Sequence, residues 1–310
     1  MHKQPSMGNF TSVPVSFLED TGVNRYNLRS VPNLTIRLCC TPSDAVKQFN
    51  QHGFCLLDRE LVNLPLSALQ ALEDWCKSYE PSFSNRRDDV GLRYSMNNSQ
   101  NCMSQGWQPL IHALFRHGPF SETIDGIVGT FDLYGRWYAD VFGGDAVLPS
   151  GPGMPFHSDH PGWTDSWSGP PSVLACSVYL EDATVERAPL ALISKSTCLE
   201  MGIPPQSRWD YGSSSWNSLD ASQLEASSCI ALMPRGSVLI RDVHIWHTGF
   251  SNQSRQSRLL PAVRLIHKEH IGNFMYRPQR VVPDSLFRQL FGDPELTEKL
   301  QYLWRYDEIA

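Results

Sequence analysis

The residues that could hold a metal ion lie in two short stretches of the chain. His157 and Asp159 stand one residue apart in a His-x-Asp tripeptide, and His247 follows about ninety residues later. Two imidazoles and one carboxylate form a ligand set that holds ferrous iron on one face and leaves positions open for a co-substrate and O₂. This set of residues predicts an iron-dependent oxygenase.

Arg258 follows His247 by eleven positions and adds a guanidinium group. A guanidinium stays charged at any working pH and can bind a carboxylate through two parallel hydrogen bonds. An organic dicarboxylate would need such an anchor. The spacing alone leaves a second choice open, because His244 and Arg255 are also eleven positions apart.

The alternation of side chains along a strand limits which residues can bind the same metal ion, but it does not identify them. Successive side chains point to opposite faces, so His157 and Asp159 share one face. His244 and His247 have opposite parity, so a regular strand cannot turn both toward one metal ion. His160 is a rival of His157 in the same way.

Length and composition indicate one large domain and exclude some partners. The chain has 310 residues, of which 41% are hydrophobic, and this is enough to bury a full core. The net charge of -6 offers no electrostatic footprint for nucleic acid or an anionic membrane. No apolar run of about eighteen residues and no signal-peptide pattern occur, so we expect a cytoplasmic protein without a membrane partner. The eight cysteines form no C-x-x-C motif, and we expect mostly buried, reduced thiols.

The order of elements predicts helices at both ends of the chain and strands between them. Residues 1–34 predict a partly disordered arm, and 35–310 predict a single domain. Helical spacing dominates 43–128, short β-like runs fill about 130–266, and helices return over 284–304. This pattern favours a mainly β fold with flanking helices and a double-stranded β-helix core, of the jelly-roll or cupin-like kind.

Further candidate residues lie on a strand and in a loop. Arg264 shares strand parity with Arg258, so it could pair with a substrate carboxylate or form a structural ion pair, although Pro261 could disturb the phase. The long polar segment 203–228 could be a lid, and its Trp209 is a candidate for substrate contact.

The end of the strand region resembles the distal motif of the phytanoyl-CoA dioxygenase family. A Trp-His pair ending at His247 is followed by Asn252, Ser254 and Arg258 at that family's spacing. This match selects His247 and Arg258 over the pair that begins with His244. Residues 148–159 resemble the proximal motif and 45–54 the opening signature, so the resemblance extends over most of the chain.

The resemblance implies Fe(II) bound by His157, Asp159 and His247, with 2-oxoglutarate as a co-substrate held by Arg258. It implies that O₂ converts 2-oxoglutarate to succinate and CO₂ while a small organic metabolite is hydroxylated, desaturated or cyclised. Halogenating relatives lack the carboxylate that Asp159 supplies, so halogenation is not expected. A carboxylate-bearing substrate is one option, and the oligomeric state is open between monomer and homodimer.

Four further positions complete the candidate set. A finer similarity to ectoine hydroxylase suggests that Trp163 lines the site. Arg93 and Tyr94 lie where relatives contact the co-substrate or the substrate, and we assign Tyr94 to the co-substrate and Arg93 to the substrate. His160 is kept as a substrate candidate.

One departure from the family pattern stands beside the second histidine ligand. Relatives often have Ser or Thr two residues after that histidine, where it hydrogen-bonds 2-oxoglutarate, but this chain has Gly249. The usual turn motif upstream is replaced by 188–197. Both changes predict a divergent, specialised member.

The sequence leaves two other functions open. A cupin-like zinc enzyme could use metal-bound water for hydrolysis or isomerisation. A non-catalytic jelly-roll protein could bind a ligand without turnover. Arg258 discriminates between the zinc enzyme and the oxygenase, because a hydrolase does not need a dicarboxylate anchor. The intact ligand set together with Arg258 argues against the non-catalytic protein.

Overall fold

The computed structural model describes residues 37–81, 86–97, 101, 104–115, 118–130, 137–159, 167, 171–203, 224 and 226–267. Several sequence predictions lie outside these residues: the N-terminal arm, the C-terminal helices, Cys102, His160, Trp163 and Trp209. The division into an arm and one domain stays a prediction.

The longer helices of the described part come before the metal-binding residues in the chain. Thr41 caps the first helix by accepting a hydrogen bond from the Asp44 N–H at 3.1 Å, and Gly53 ends it with φ 76°. A Cβ at Gly53 would lie 2.4 Å from Ile245 Cδ1, so glycine is needed there for both space and backbone conformation. The helices are α1 (Pro42–His52), α2 (Arg59–Val62), α3 (Leu66–Ser78), α4 (Gln108–Phe115), α5 (Pro119–Thr130) and α6 (Lys195–Met201).

The strands form two antiparallel sheets. They are β1 (Phe54–Leu57), β2 (Arg93–Ser95), β3 (Trp137–Val147), β4 (Val173–Val178), β5 (Leu190–Ile193), β6 (Ser228–Ala231), β7 (Val238–Asp242), β8 (His247–Gly249) and β9 (Arg258–His267). The larger sheet has the order β1-β7-β4-β9-β3-β2, and the smaller has the order β6-β5-β8. Neighbours in the sheets are far apart in the chain, so pairing brings distant residues together.

The two faces of the larger sheet belong to different hydrophobic clusters. Alternate residues of its strands, including Cys55, Cys176 and Val263, pack with α3, α4 and α5. The intervening residues, including Phe54, Tyr179 and Leu260, pack with the smaller sheet. Full burial of one large apolar side chain stabilises the fold by about 1.5–3 kcal/mol, so both clusters contribute to stability. We call the face turned toward the smaller sheet the inner face.

The described cysteines agree with the expectation of mostly buried thiols. The cysteines in this part of the chain are free thiols, and all except Cys40 are buried. Burial raises the pKa of Cys39, Cys198 and Cys229 to about 12, so these thiols are protonated at neutral pH. Among the helices that the structure describes, none is both long and apolar enough to cross a lipid bilayer.

Candidate metal centre

His157, Asp159 and His247 come together where β8 meets the stretch that precedes β4. One ligand atom from each residue lies within 4.8 Å of the others. Nε2 of His157 is 3.7 Å from one Asp159 carboxylate oxygen, and Nε2 of His247 is 3.7 Å from the other. The two histidines also exchange backbone hydrogen bonds of 2.9 and 2.8 Å, which sets their side chains next to each other.

The backbone orients both imidazoles. Nδ1 of His157 lies 2.8 Å from the Pro155 carbonyl oxygen, and Nδ1 of His247 lies 2.9 Å from that of Ile245. A carbonyl only accepts, so each Nδ1 carries the proton and each Nε2 lone pair is free to bind a metal ion. Burial, together with the nearby Arg241 charge, holds the pKa of His247 well below its usual value. This imidazole is therefore neutral, as a metal ligand must be.

Arg241 holds the carboxylate of Asp159. Its Nη2 donates to Asp159 Oδ2 at 2.6 Å, and only 10% of the arginine side chain is exposed. Burial alone would raise the pKa of Asp159, but Arg241 and the two histidines outweigh it and hold the pKa well below the usual range. Sequence analysis missed this residue. The signal was an arginine directly after the apolar run at the start of β7.

The rival pair identified by spacing lies elsewhere. His244 is buried, and its Nδ1 lies 2.7 Å from Asp242 Oδ1 rather than among the three ligand atoms. The Asp242 carboxylate opposes the effect of burial and raises the pKa of His244. Arg255 is exposed. The structure therefore brings His247 to the metal centre and leaves the alternative pair outside it.

Arg258 is buried and incompletely hydrogen-bonded. It is 7% exposed, and its Nε donates to the Ala188 carbonyl at 3.1 Å. Its Nη1 and Nη2 are buried and have no hydrogen-bond partner among the described residues. Tyr179 lines a small cavity with Arg258, and its buried hydroxyl also has no hydrogen-bond partner among the described residues. A buried charge without a partner is costly, so this arrangement calls for an anion.

Arg93 lies beside Arg258. Arg93 pairs with Val147 of β3, which in turn pairs with Arg258, so the two arginines occupy one row of the inner face. Nε of Arg93 donates to the Pro152 carbonyl at 3.1 Å, and Nη2 donates to the carbonyls of Gly249 and Phe250 at 3.2 and 2.9 Å. The structure thus brings Arg93 to the predicted co-substrate anchor.

Tyr94 points away from this centre. It follows Arg93 on β2, so its side chain lies on the opposite face. There it packs in the helix-side cluster and stacks on Tyr79 with ring centroids 6.1 Å apart. The structure does not bring Tyr94 to the metal-binding residues, and of the β2 pair it is Arg93 that faces them.

Arg264 lies on the inner face with Arg258. The strand β9 pairs continuously through Pro261, so the proline does not disturb the alternation. Arg264 pairs with Ala175, which pairs with Arg241, and the three residues form one row across neighbouring strands. Arg241 keeps two buried nitrogen atoms, Nε and Nη1, without a hydrogen-bond partner in the described part of the chain.

The residues present fit a ferrous ion and a dicarboxylate. Two imidazole nitrogens and one carboxylate, all turned toward one small space, are the donors that suit non-haem iron. The buried guanidinium of Arg258, with two free donor nitrogens, suits a carboxylate.

Comparisons with known proteins agree with this site and fold. The sequence profile of the family described as phytanoyl-CoA dioxygenase (PhyH) matches residues 49–260. The crystal structure of SnoN, a non-heme alpha ketoglutarate dependent epimerase from nogalamycin biosynthesis, has a TM-score of 0.51 and 12% identity. This match covers 73% of this chain and 80% of SnoN. It shows the fold alone, and the predicted mainly β fold with a jelly-roll core is confirmed.

Two structures from Streptomyces are similar at lower TM-scores. AviO1 from Streptomyces viridochromogenes Tue57 has a TM-score of 0.48 and 18% identity, over 74% of this chain and 96% of its own. HygX from Streptomyces hygroscopicus, with nickel and 2-oxoglutarate bound, has a TM-score of 0.48 and 11% identity, over 73% and 87%. No curated protein sequence matches significantly.

The profile match covers about two thirds of the chain and includes the three metal-binding residues and Arg258. The finer similarity to ectoine hydroxylase stays a prediction. The chain therefore belongs to the phytanoyl-CoA dioxygenase family, and it is a non-haem iron dioxygenase that uses Fe(II), 2-oxoglutarate and O₂.

Proposed function

We propose that His157, Asp159 and His247 bind Fe(II) and that Arg258 binds the far carboxylate of 2-oxoglutarate, in an enzyme that oxidises a small organic metabolite. When bound, iron and 2-oxoglutarate supply the oxidising chemistry, in which O₂ is consumed and succinate and CO₂ are formed. The observation that carries this proposal is the buried guanidinium of Arg258 with its two unpartnered nitrogens, close to a complete metal-ligand set.

Each residue has a separate task in this proposal. The carbonyls of Pro155 and Ile245 keep the two Nδ1 protons in place, so the Nε2 lone pairs face the metal. Arg241 engages one oxygen of Asp159, which favours metal binding through the other oxygen. His157 and His247 are 4% and 6% exposed, so little water reaches the two imidazoles.

The other two functions have less support. A zinc hydrolase or isomerase would have no use for a buried arginine that lacks an anion. A jelly-roll protein that binds a ligand without turnover would not need the complete metal-ligand set together with Arg258. The family match and Arg258 together favour the oxygenase.

Two features of the site support the proposed reaction type and substrate class. Asp159 occupies the position that a halide would need, so the proposed outcomes are hydroxylation, desaturation or cyclisation. Arg241 and Arg264 flank Ala175, and Arg241 retains two unpartnered nitrogens. These charges support a substrate with an acidic group. Succinate release above the uncoupled background should therefore be found with organic acids rather than with their neutral amides.

Anaerobic titration with Fe(II) and then 2-oxoglutarate tests the proposed site. Chelation should produce a metal-to-ligand charge-transfer band in the visible spectrum. Arg258→Met should weaken 2-oxoglutarate binding by about tenfold or more, since it removes charge-assisted hydrogen bonds. Arg255→Met is the matched control, because Arg255 is exposed. A folded wild-type protein without the band would contradict the proposal.

A further inference from the structure

We propose that Arg93 is a second anchor for the far carboxylate of 2-oxoglutarate and that it takes the place of the side chain missing at Gly249. This inference rests on the proposed function, in which Arg258 binds the same carboxylate.

The space next to Gly249 is shared by both arginines. A Cβ placed on Gly249 would lie 2.8 Å from Nη1 of Arg93 and 3.1 Å from Nη2 of Arg258. Both guanidinium groups therefore reach the same small volume. A Ser or Thr at this position would force the Arg93 guanidinium to shift, so a hydroxyl-bearing side chain at position 249 and this position of the guanidinium compete for one space.

The hydrogen bonds of the two arginines leave complementary donors free. Arg93 uses Nε and Nη2 on backbone carbonyls, and its Nη1 has no hydrogen bond to the described residues. Arg258 uses Nε on Ala188 and keeps Nη1 and Nη2. A carboxylate has about four lone-pair positions and can accept from all three free nitrogens.

The buried charges also favour an anion here. Arg93 is 1% exposed and Arg258 is 7% exposed, and neither forms a salt bridge within the described residues. The Asp145 carboxylate opposes the effect of burial on the pKa of both arginines, without forming a salt bridge with either. Burial lowers the pKa of Arg93 to about 10, and the nearby Arg258 lowers it as well, but the group stays charged at neutral pH. Two adjacent buried cations repel each other, and a bound carboxylate would offset that repulsion.

A purely structural role for Arg93 is the competing explanation, because its hydrogen bonds to Pro152, Gly249 and Phe250 tie two segments together. The two roles differ in which ligands they affect. A tether supports binding of any 2-oxo acid equally, whereas an anchor distinguishes ligands with a far carboxylate from those without one.

The test compares 2-oxoglutarate with 2-oxopentanoate, which has a methyl group where 2-oxoglutarate has its far carboxylate. Both ligands keep the 2-oxo acid end that chelates iron. Their dissociation constants are measured anaerobically on the Fe(II) enzyme from the charge-transfer band, for wild type, Arg93→Met and the exposed control Arg255→Met. We expect wild type and Arg255→Met to prefer 2-oxoglutarate strongly, and Arg93→Met to lose about tenfold or more of that preference.

An equal weakening of both ligands in Arg93→Met would show a tether and overturn the inference. If that variant does not fold, Arg93→Gln replaces it, because glutamine removes the charge but keeps hydrogen-bonding groups, and an unchanged ratio of the two constants would then overturn the inference. Failure of wild type to bind 2-oxoglutarate would instead overturn the proposed function.

A double-mutant cycle tests whether the side chains at positions 93 and 249 compete for one space. Gly249→Ser should weaken 2-oxoglutarate binding in wild type, because its Cβ would meet Arg93, and should restore part of the binding in Arg93→Met. If Gly249→Ser had the same effect in wild type and in Arg93→Met, this competition would be contradicted.

Discussion

At the scale of single residues, the metal centre depends on a charged partner of Asp159. Arg241 donates to this carboxylate from a buried position on β7. A partner that orients a ligand determines how well the ligand atoms match the metal, and loss of such partners typically costs about 10–100-fold in metal affinity. Arg241 is therefore a positioning residue rather than a metal ligand.

Arg241→Met should weaken Fe(II) binding by about tenfold or more, because Asp159 would lose its fixed orientation and its pKa would rise. Competition with a coloured chelator under anaerobic conditions measures the affinity. Arg235→Met is a control, because Arg235 pairs with Glu73, away from the three ligands. Equal Fe(II) affinity of Arg241→Met and wild type would show that the carboxylate does not need this partner.

At the scale of elements, the loop between β8 and β9 links His247 to Arg258. Asn252 is 1% exposed and lies within this loop. Its Nδ2 donates to the carbonyls of Val147 and Gln256, and its Oδ1 accepts from the N–H and hydroxyl of Ser254. These bonds give a physical reason for the motif positions 252 and 254, since they set where β9 begins.

Asn252→Ala should lower the free energy of unfolding by about 3 kcal/mol, because it removes the donor to the buried Val147 carbonyl and the acceptor for both Ser254 bonds. Urea unfolding followed by circular dichroism measures the change. Gln253→Ala, at the exposed neighbouring position, should change stability by less than about 0.5 kcal/mol. Equal stability of the two variants would show that this loop is held by other contacts.

At the scale of the whole molecule, the metal site links both sheets. His247 belongs to the smaller sheet, while Asp159 is held by Arg241 of the larger one. A metal ion bound to both parts binds the folded state only, so it should stabilise the whole fold.

Addition of Zn²⁺ as a redox-inactive substitute for iron, at about 100 times its dissociation constant, should raise the free energy of unfolding by about 2.7 kcal/mol. Removal of metal with a chelator should reverse the increase. His157→Ala should abolish it, whereas the exposed control Arg255→Met should keep it. A rise of equal size in His157→Ala would locate the stabilising ion elsewhere.

Local patterns in the sequence were enough to predict the ligand types and the class of fold. The His-x-Asp spacing, the motif after His247 and the many short strands each depend on neighbours in the chain or on strand alternation. Arg258 and Arg264 could be placed on one face for the same reason. The strand β2, which carries Arg93 and Tyr94, was not predicted, so the sequence did not show on which face each of them lies.

Only the tertiary structure decided which residues meet across strands. Arg241 contacts Asp159, and Arg93 lies beside Arg258, because strands far apart in the chain pair in one particular register. A shift of one residue would turn each of these side chains to the other face, and no local pattern encodes that register. The departure at Gly249 is visible in the sequence, but the guanidinium of Arg93 that lies next to it is visible only in the fold.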